Sequence, residues 1–405
     1  MVGCAPQLTE LDQKQPLTVL IQELCNLWKL TDIEQYALKF NMDNKIYVSE
    51  KNRTEVKNGF VLQLTFSPGK ISRDILRLLS QTADDKLKAL QELCSLSDDP
   101  IFAAEFIQQQ GLDTIMAIFE SGKLADPMVS YLLPAFVNLM EHGIAQWDMI
   151  EASFINRTAT LINNQSNPQD PKTLQAALSV LENLVLNTSK YNQVEKELTL
   201  PNLAKHLQNP SRPTQQNTLA LINALFLKAD DSKRVAIAGT LNVRQIRNSI
   251  VMNIIQGTGS DPIGTEMAHQ LHVLQTLMLN ILEGKMMKAI DANDADAQEK
   301  IKELRRIAFD SDGGVDVHFK DVTARKVNPK DFRKLGFKND ANPLLDFGQA
   351  PPGCLSLESM LYFARNQTER YTRVVLENSG RGDDYDCPFA RAAIELTLLL
   401  CDILK

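Results

Sequence analysis

The sequence has little of several features that would assign it to a class at once. Its 405 residues contain no run of apolar residues as long as the roughly 18 that a transmembrane helix needs. No basic stretch followed by an apolar stretch opens the chain, so no secretory signal is indicated. Six cysteines are scattered without C-x-x-C spacing, which argues against a zinc site and a dense disulfide framework. Together these absences predict a cytoplasmic protein.

Signatures of catalysis and of nucleic-acid binding are also scarce. With a net charge of −7, the chain has little of the clustered positive charge that binding to a phosphate backbone requires. No nucleophile is accompanied by a recognisable base motif, and no glycine-rich phosphate loop is present. His269 and His272 stand three residues apart, but no third metal ligand can be named. We therefore expect no nucleic-acid partner, no enzymatic activity, no cofactor and no metal.

What remains is the composition of an ordinary folded protein. Hydrophobic residues make up 44% of the chain and charged residues 23%, values that are typical of soluble globular proteins. A chain of 405 residues predicts two or three domains, because a domain commonly contains about 100 to 200 residues.

The first 68 residues predict a small β-rich module. Residues 16–27 have apolar side chains at helical spacing and open with a proline suited to a first helical turn. Alternating apolar residues, typical of strands, occur at 8–11, 36–40, 46–48 and 61–66. Strand, helix and closing strands in this order predict a ubiquitin-like β-grasp over residues 1–68, with its first strand short or missing.

The middle of the chain predicts a stack of helices. From Ser72 to about Leu282 almost every segment has the 3.6-residue apolar period, and the breaks are short. One pattern, apolar, any, Asn, apolar, apolar, recurs around Asn138, Asn183, Asn223 and Asn280. The first two intervals match the period of about 40 to 47 residues in armadillo and HEAT solenoids. We therefore predict a mostly α-helical fold with an armadillo-type solenoid over residues 69–309.

The four asparagines are candidate partner-binding residues. An amide side chain offers two donors and two acceptor sites, so a row of Asn138, Asn183, Asn223 and Asn280 could bond to the backbone of a bound segment. The alternative is that each amide satisfies nearby helix ends, because an unpaired buried amide costs about 1 to 3 kcal/mol. A partner's amphipathic helix could instead use the apolar neighbours of these residues.

Seven longer stretches are distributed from one end of the chain to the other: ELDQKQPL, YVSEKNRTEVKNG, MEHGIAQWDM, LINALFLKA, EMAHQLHVLQ, ELRRIAFD and VLENSGRGDDYDCPFARAAIELT. They resemble the engulfment and cell motility (ELMO) family of adaptor proteins. The resemblance implies a Ras-binding domain over 1–68, armadillo repeats over 69–309 and part of a helical ELMO domain over 310–405.

The resemblance also implies a function, that of a non-enzymatic adaptor. Members of this family join DOCK-type exchange factors to activate the small GTPase Rac, which directs actin remodelling in engulfment and migration. Active RhoG or Arl-type GTPases and adhesion-receptor tails recruit them from the cytoplasm to the plasma membrane. Because family members continue past the position of Lys405, we expect this chain to bind the upstream activators but not to form the full DOCK complex.

Two expectations about particular residues follow from the resemblance. Ras-binding domains of the β-grasp type commonly pair an edge strand with the GTPase, and Tyr36, Leu38, Lys39 and Phe40 are our candidates, with plain sheet packing as the alternative. Related ELMO-domain proteins that accelerate GTP hydrolysis on Arl GTPases carry an arginine where Gly348 stands. An arginine finger places positive charge on the developing phosphoryl oxygens, which a glycine cannot do. GTPase activation is therefore the alternative function, and Gly348 counts against it.

Overall fold

The computed structural model describes residues 8–41, 46–164, 170–257, 263–309, 329–379 and 389–404. Most of these residues are helical, and one small antiparallel sheet among them lies near the N-terminus. The chain divides into two compact units, Met1–Leu274 and Gln275–Lys405. The predicted fold class, mostly α with a small N-terminal β module, is confirmed.

The N-terminal module consists of one helix packed on a two-stranded sheet. Helix α1 spans Leu17–Leu27, strand β1 spans Tyr36–Phe40 and strand β2 spans Leu62–Phe66. The strands are antiparallel, with Leu38 opposite Leu64. The core of the module contains the buried residues Leu17, Leu24, Cys25, Leu38, Val48 and Leu64. Short 3-10 helices at Ile33–Gln35 and Arg53–Glu55 complete the module.

Two of the predicted strands do not form. Residues 8–11 are not a strand, because the side chain of Leu8 is fully exposed to solvent and only the far end of the segment, at Leu11, reaches the core. Residues 46–48 make a single bridge, between Tyr47 and Lys39, instead of a full strand. The sequence pattern was therefore right about β1 and β2 and wrong about these two segments.

Among the described residues of the first unit, twelve α-helices follow the N-terminal module and precede the helix at Thr265–Met286, in which the unit ends. Several of them open in the same way, with an oxygen-bearing side chain accepting a hydrogen bond from a first-turn amide, as Ser67, Thr82 and Asp230 do. Their bounds are α2 Pro68–Leu79, α3 Ala83–Leu96, α4 Pro100–Gln108, α5 Gly111–Glu120, α6 Asp126–Glu141, α7 Ala152–Asn163, α8 Pro171–Asn187, α9 Tyr191–Glu197, α10 Leu200–Lys205, α11 Arg212–Lys228, α12 Asp231–Leu241 and α13 Arg244–Ser249. Short 3-10 helices lie at Trp147–Met149 and His206–Gln208, and a π-helix lies at Ile250–Ile255.

One row of helices carries the repeat. Helices α3, α6, α8 and α11 pack side by side in that order, and they start at residues 83, 126, 171 and 212. The interval of 41 to 45 residues matches the armadillo period expected from the sequence. An aromatic cluster joins α6 of this row to α5 and α7: the centre of the Phe154 ring is 4.7 Å from that of Phe119 and 4.8 Å from that of Phe136.

The second unit is a separate helical domain. Helix α14, Thr265–Met286, crosses the boundary between the units. The remaining helices are α15 Ala295–Phe309, α16 Pro329–Lys334, α17 Gly353–Asn366, α18 Thr368–Ser379 and α19 Phe389–Leu404, with a 3-10 helix at Pro343–Phe347. The buried Tyr371 hydroxyl donates to the Leu304 carbonyl oxygen at 3.0 Å and ties α18 to α15.

The core of this second unit begins before residue 310, which is the predicted start of the last domain. Ala297, Ile301, Leu304 and Ala308 of α15 are buried in one cluster with residues of α17 and α18. Residues 310–328 themselves lie outside the described part of the chain. The predicted limits 1–68, 69–309 and 310–405 stay predictions, and the burial of α15 favours an earlier start for the last domain.

Candidate partner-binding surfaces

The four candidate residues on β1 do not form a free sheet edge. On one side β1 pairs with β2. On the other side, the Phe40 amide donates to the Ile46 carbonyl at 3.0 Å, and the Val48 amide donates to the Leu38 carbonyl at 2.8 Å. The expectation that a GTPase adds to β1 as a neighbouring strand is therefore corrected, because segment 46–48 already occupies that side.

The side chains on β1 have different surroundings. Leu38 is only 2% exposed and belongs to the core of the module, so its side chain cannot contact a partner. Tyr36, Lys39 and Phe40 are half-buried, and their role in GTPase binding stays a prediction. The Tyr36 ring stacks on Phe66 of β2, with the ring centres 5.5 Å apart.

Exposed apolar side chains at β2 were not singled out from the sequence. Phe66 is 42% exposed, and Val61, just before the strand, is exposed as well. Alternation marked both as strand residues, but it does not reveal which members of a strand remain open to solvent. The ammonium of Lys70 lies 4.3 Å from the centre of the Phe66 ring. This is a cation–π contact, in which the ring face attracts the positive charge. Tyr36 and Phe66 together form an aromatic pair that a partner could contact.

A buried contact fixes the N-terminal module to the helical array. The Tyr47 amide donates to Oδ2 of Asp99 at 2.7 Å, while Oδ1 of Asp99 caps α4 by accepting from the Ile101 and Phe102 amides. Tyr47 is 1% exposed, and its hydroxyl donates to the Phe66 carbonyl at 3.1 Å. Burial raises the pKa of Tyr47, and the neighbouring charges of Asp99 and Glu92 raise it further. The module is therefore held in place by residues that are unavailable to a partner.

Three of the four candidate asparagines bond to the chain itself. Asn138 donates to Ser97 Oγ at 3.1 Å, and Asn183 donates to the Ser179 carbonyl of its own helix at 3.0 Å. Asn223 is 4% exposed and donates to Gln270 of α14, at 2.8 Å to the carbonyl and 2.9 Å to Oε1. Asn280 is exposed. The amide nitrogens of Asn138, Asn183 and Asn223 thus bond to the chain itself, as the alternative reading of these residues expects, whereas the buried Oδ1 of Asn223 has no hydrogen-bond partner. A role of the four asparagines in partner binding stays a prediction.

Polar bonds between successive layers follow the same period but use other residue types as well. They join residues that are 41 to 44 positions apart in the chain. The pairs are Asn138 with Ser97, His206 with the Ile162 carbonyl, Gln208 with Ser249, and Asn217 with the Gln175 carbonyl. Because His, Gln and Asn share this task, a search for asparagine alone finds only part of the period.

An acidic locus lies beside two of the asparagines. Glu182, half-buried on α8, has its pKa raised to about 7, chiefly by burial and in addition by the charge of Glu266 on α14. Glu266 also accepts from Nε2 of Gln270, whose carbonyl and Oε1 accept from Asn223. Among the residues that the structure describes, neither Glu182 nor Glu266 forms an ion pair with a lysine or arginine. A positively charged partner would therefore be favoured at this place.

Gly348 lies where an additional side chain would fit. Its φ of −73° is open to any residue, it is exposed, and a Cβ there would be 3.5 Å from its nearest neighbour, the Leu345 carbonyl oxygen. The adjacent Asp346 carboxylate accepts from the Lys338 amide at 2.6 Å and from Asn339, which fixes this loop. The backbone therefore does not require a glycine at position 348.

Metal-ligand clusters and membrane-spanning helices are both absent from the described part of the chain. Within it, no group of three or more His, Cys, Asp or Glu residues is placed to hold a metal ion. No helix among the same residues is long and apolar enough to cross a membrane.

The fold and its surfaces define a class, a helical-repeat protein that begins with a small β-grasp module. Three family models match successive parts of the chain. Residues 1–67 match the ELMO protein N-terminal Ras-binding domain, residues 101–255 the ELMO armadillo-like helical domain, and residues 280–405 the ELMO/CED-12 family.

Similar proteins match over the whole of this chain. Engulfment and cell motility protein 1 of Homo sapiens is 43% identical over 418 residues, and protein 2 of Bos taurus is 42% identical over 412 residues. Protein 3 of Homo sapiens is 38% identical over 408 residues. Each match covers 100% of this chain and 56 to 57% of the relative, so the chain spans little more than half of their length. The chain belongs to the engulfment and cell motility (ELMO) family.

Proposed function

We propose that this chain is a non-enzymatic adaptor that links active small GTPases to Rac activation and actin remodelling in engulfment and migration. The match of residues 1–67 to a Ras-binding domain carries the proposal. The relatives add support, because they are named for engulfment and cell motility. In this proposal the protein is cytoplasmic, and active RhoG or an Arl-type GTPase recruits it to the plasma membrane.

The GTPase-binding surface that we propose uses side chains rather than strand addition. Both sides of β1 are engaged along residues 38–40, so the half-buried Lys39 and Phe40 would contribute through their side chains, and we propose the same for the half-buried Tyr36. The exposed Phe66, stacked on Tyr36, extends this surface onto β2. Aromatic residues suit such a role, because they supply large contact areas at interfaces.

A second proposed partner is an adhesion-receptor tail that binds the array. We place a basic amphipathic segment of such a tail near Asn183 and Asn223. A cation bound there would face Glu266 and would favour the ionised form of Glu182, whose pKa is raised to about 7. A DOCK-type exchange factor is the proposed third partner. Because the chain spans only 57% of the length of human protein 1, we assign that contact to no residue of this chain.

The nucleotide dependence of GTPase binding tests the main proposal. The full chain is titrated with RhoG loaded with GDP and with RhoG loaded with a non-hydrolysable GTP analogue, and binding is followed by calorimetry. We expect binding of the GTP form to be at least tenfold tighter. Equal affinity for the two forms would show that this chain is not an effector of RhoG.

The alternative function is GTPase activation by the C-terminal unit. Gly348 counts against it, because no positive charge stands at that position. Phosphate release from Arl-type and Rho-type GTPases, measured with and without the full chain, separates the two functions. An adaptor leaves the hydrolysis rate unchanged, whereas a stimulated rate would establish an enzymatic role.

A further inference from the structure

An open groove lies between the start of α3, the end of α5 and the start of α6. Its volume is about 660 Å³, which is within the range of sites that hold small ligands or several side chains. The residues that line the groove include neither Asn183 and Asn223 nor the glutamates beside them, so the groove does not share a residue with the surface proposed for a receptor tail.

Most of the groove lining is apolar. Ile118, Leu124 and Met128 are half-buried in it, and alanines at positions 83, 117 and 125 are exposed beside them. The alanines leave space for bulky apolar side chains of a ligand, and a methionine adapts its shape to such groups. An apolar lining that remains open to solvent favours a ligand with an apolar face.

Both charged residues in the lining are lysines. Lys86 belongs to α3, and Lys123 lies in the connection from α5 to α6. Within the described residues, neither ammonium is within 4 Å of a carboxylate oxygen. Asp85 and Asp126 are near in sequence but do not line the groove. The groove therefore presents two positive charges that the described part of the chain does not neutralise.

The two hydroxyl groups in the lining are already used as donors. Thr114 donates to the Gln110 carbonyl at 3.0 Å, and Ser121 donates to the Ile118 carbonyl at 2.7 Å. The start of α6 adds no free donor, because Pro127 has no amide hydrogen and the Met128 and Val129 amides both donate to the Ala125 carbonyl. The donors that remain for a ligand are the lysine ammonium groups, so the groove selects negatively charged acceptors.

From this arrangement we propose that the groove binds an acidic amphipathic segment of a partner protein. The apolar side chains of the segment contact Ile118, Leu124 and Met128, and its carboxylates pair with Lys86 and Lys123. A basic segment is excluded because it would meet two uncompensated positive charges. This partner is opposite in charge to the receptor tail proposed above, so the inference goes beyond the proposed function and does not depend on it.

A designed peptide tests the proposal with the full chain. The probe is a fluorescein-labelled helix of fifteen residues, with leucines on one face and glutamates on the other, and binding is followed by fluorescence anisotropy. We expect saturable binding that weakens at least tenfold in a Lys86→Glu, Lys123→Glu double variant. The matched control is Lys88→Glu, a residue of the same helix outside the lining, which should leave the affinity unchanged within twofold.

A reciprocal peptide and a spectroscopic measurement locate the binding. The same peptide with lysine in place of every glutamate should bind the double variant at least tenfold more tightly than the unaltered chain. In methyl NMR spectra of the unaltered chain, the acidic peptide should shift the Met128 signal and leave that of Met252, exposed elsewhere, in place. The proposal is overturned if the acidic peptide fails to saturate, if Lys88→Glu weakens it equally, or if Met128 does not respond.

Discussion

The junction between the N-terminal module and the array uses polar side chains differently from the array itself. At the junction, the single carboxylate of Asp99 caps α4 and also holds the backbone of Tyr47. Within the array, polar bonds such as that of Asn138 to Ser97 are repeated from layer to layer. Stability that depends on one buried residue is lost with that residue, whereas stability shared among many bonds is lost gradually. Residues of the second kind are the ones that a partner can engage without unfolding the protein.

The largest effect should follow from removing the junction carboxylate. Asp99→Ala removes a helix cap, worth about 1 kcal/mol, and leaves the buried Tyr47 amide without an acceptor, which costs about 1 to 3 kcal/mol more. We therefore expect a loss of about 2 to 4 kcal/mol in the free energy of unfolding, measured by urea denaturation.

A second capping residue provides the control for this variant. Asp170 caps α8 by accepting from the Lys172 and Thr173 amides at 3.0 and 3.3 Å. Since Asp170 is itself exposed, Asp170→Ala should cost only about 1 kcal/mol. Equal losses in the two variants would mean that the bond to Tyr47 contributes nothing, and the comparison between junction and array would fail.

Within the array, Asn223 and Asn183 occupy the same position of one sequence pattern. We expect their replacement to change the free energy of unfolding by different amounts, because Asn223 is more deeply buried. Asn223→Ala removes the donor that pairs with both acceptors of Gln270, and we expect a loss of about 1 to 2 kcal/mol. Asn183 is half-buried and bonds within its own helix, so Asn183→Ala should cost less than about 0.5 kcal/mol. Both free energies of unfolding are measured by urea denaturation. A larger loss for Asn183→Ala than for Asn223→Ala would contradict the inference that Asn223 contributes more to stability.

Glu182 should make the array less stable as the pH rises. Burial raises the pKa of its carboxyl from an ordinary value of 4.5 to about 7 in the folded chain, so between these values the folded state binds more protons than the unfolded state. The stability contributed by the protonated form is therefore present below pH 4.5 and lost as the pH rises through about 7. We expect the difference in stability between the natural chain and Glu182→Gln to change by about 1 to 2 kcal/mol over this window.

The measurement is a series of urea denaturation curves for both proteins between about pH 5 and pH 8, a range that spans the raised pKa. Glu182→Gln should become the more stable of the two at the upper end, because it does not ionise beside Glu266. Parallel pH profiles for the two proteins would show that Glu182 is not held protonated by burial. Glu182→Gln should also lower the affinity of the chain for a basic receptor segment, if that segment binds where we propose.

Local patterns in the sequence predicted the elements and their period. The helix at α1, the alternation of β1 and β2 and the interval between repeats all arise from contacts between neighbours in the chain or between adjacent repeats. The resemblance to the ELMO family was likewise carried by uninterrupted stretches of sequence and is confirmed by the family models. These features are local, which is why a pattern of spacing is sufficient to find them.

Contacts across the chain could not be predicted in this way. Tyr47 and Asp99 are 52 residues apart, and no spacing rule joins them. The placement of segment 46–48 beside β1, which removes the free edge, also depends on tertiary packing rather than on alternation. The groove lined by Lys86 and Lys123 combines side chains from α3, α5, α6 and the connection between α5 and α6. Its positive charge therefore arises only when the chain folds.

The smallest effect on stability is expected at Gly348, which takes part neither in a single buried contact like that of Asp99 nor in the repeated bonds of the array. Because φ is −73° and a Cβ meets nothing closer than 3.5 Å, Gly348→Arg should change the free energy of unfolding by less than about 0.5 kcal/mol. Gly353, in the same unit, is the matched control: its φ is +52°, and a Cβ would collide with the carbonyl oxygens of Met286 and Lys288. Gly353→Ala should therefore cost more than about 2 kcal/mol.

Phosphate release from an Arl-type GTPase, measured with the Gly348→Arg variant, then distinguishes two explanations for a lack of GTPase activation. Either only the arginine is missing, or the unit does not reach the nucleotide at all. If the stable Gly348→Arg variant stimulates hydrolysis while the natural chain does not, the C-terminal unit already contacts the GTPase near its phosphates and lacks only the positive charge. If the variant is also inactive, the surface around Asp346 does not reach the nucleotide. The proposed adaptor function then rests on the N-terminal module, in which the exposed Phe66 stacks on the half-buried Tyr36 while the contact of Tyr47 with Asp99 holds the module to the array.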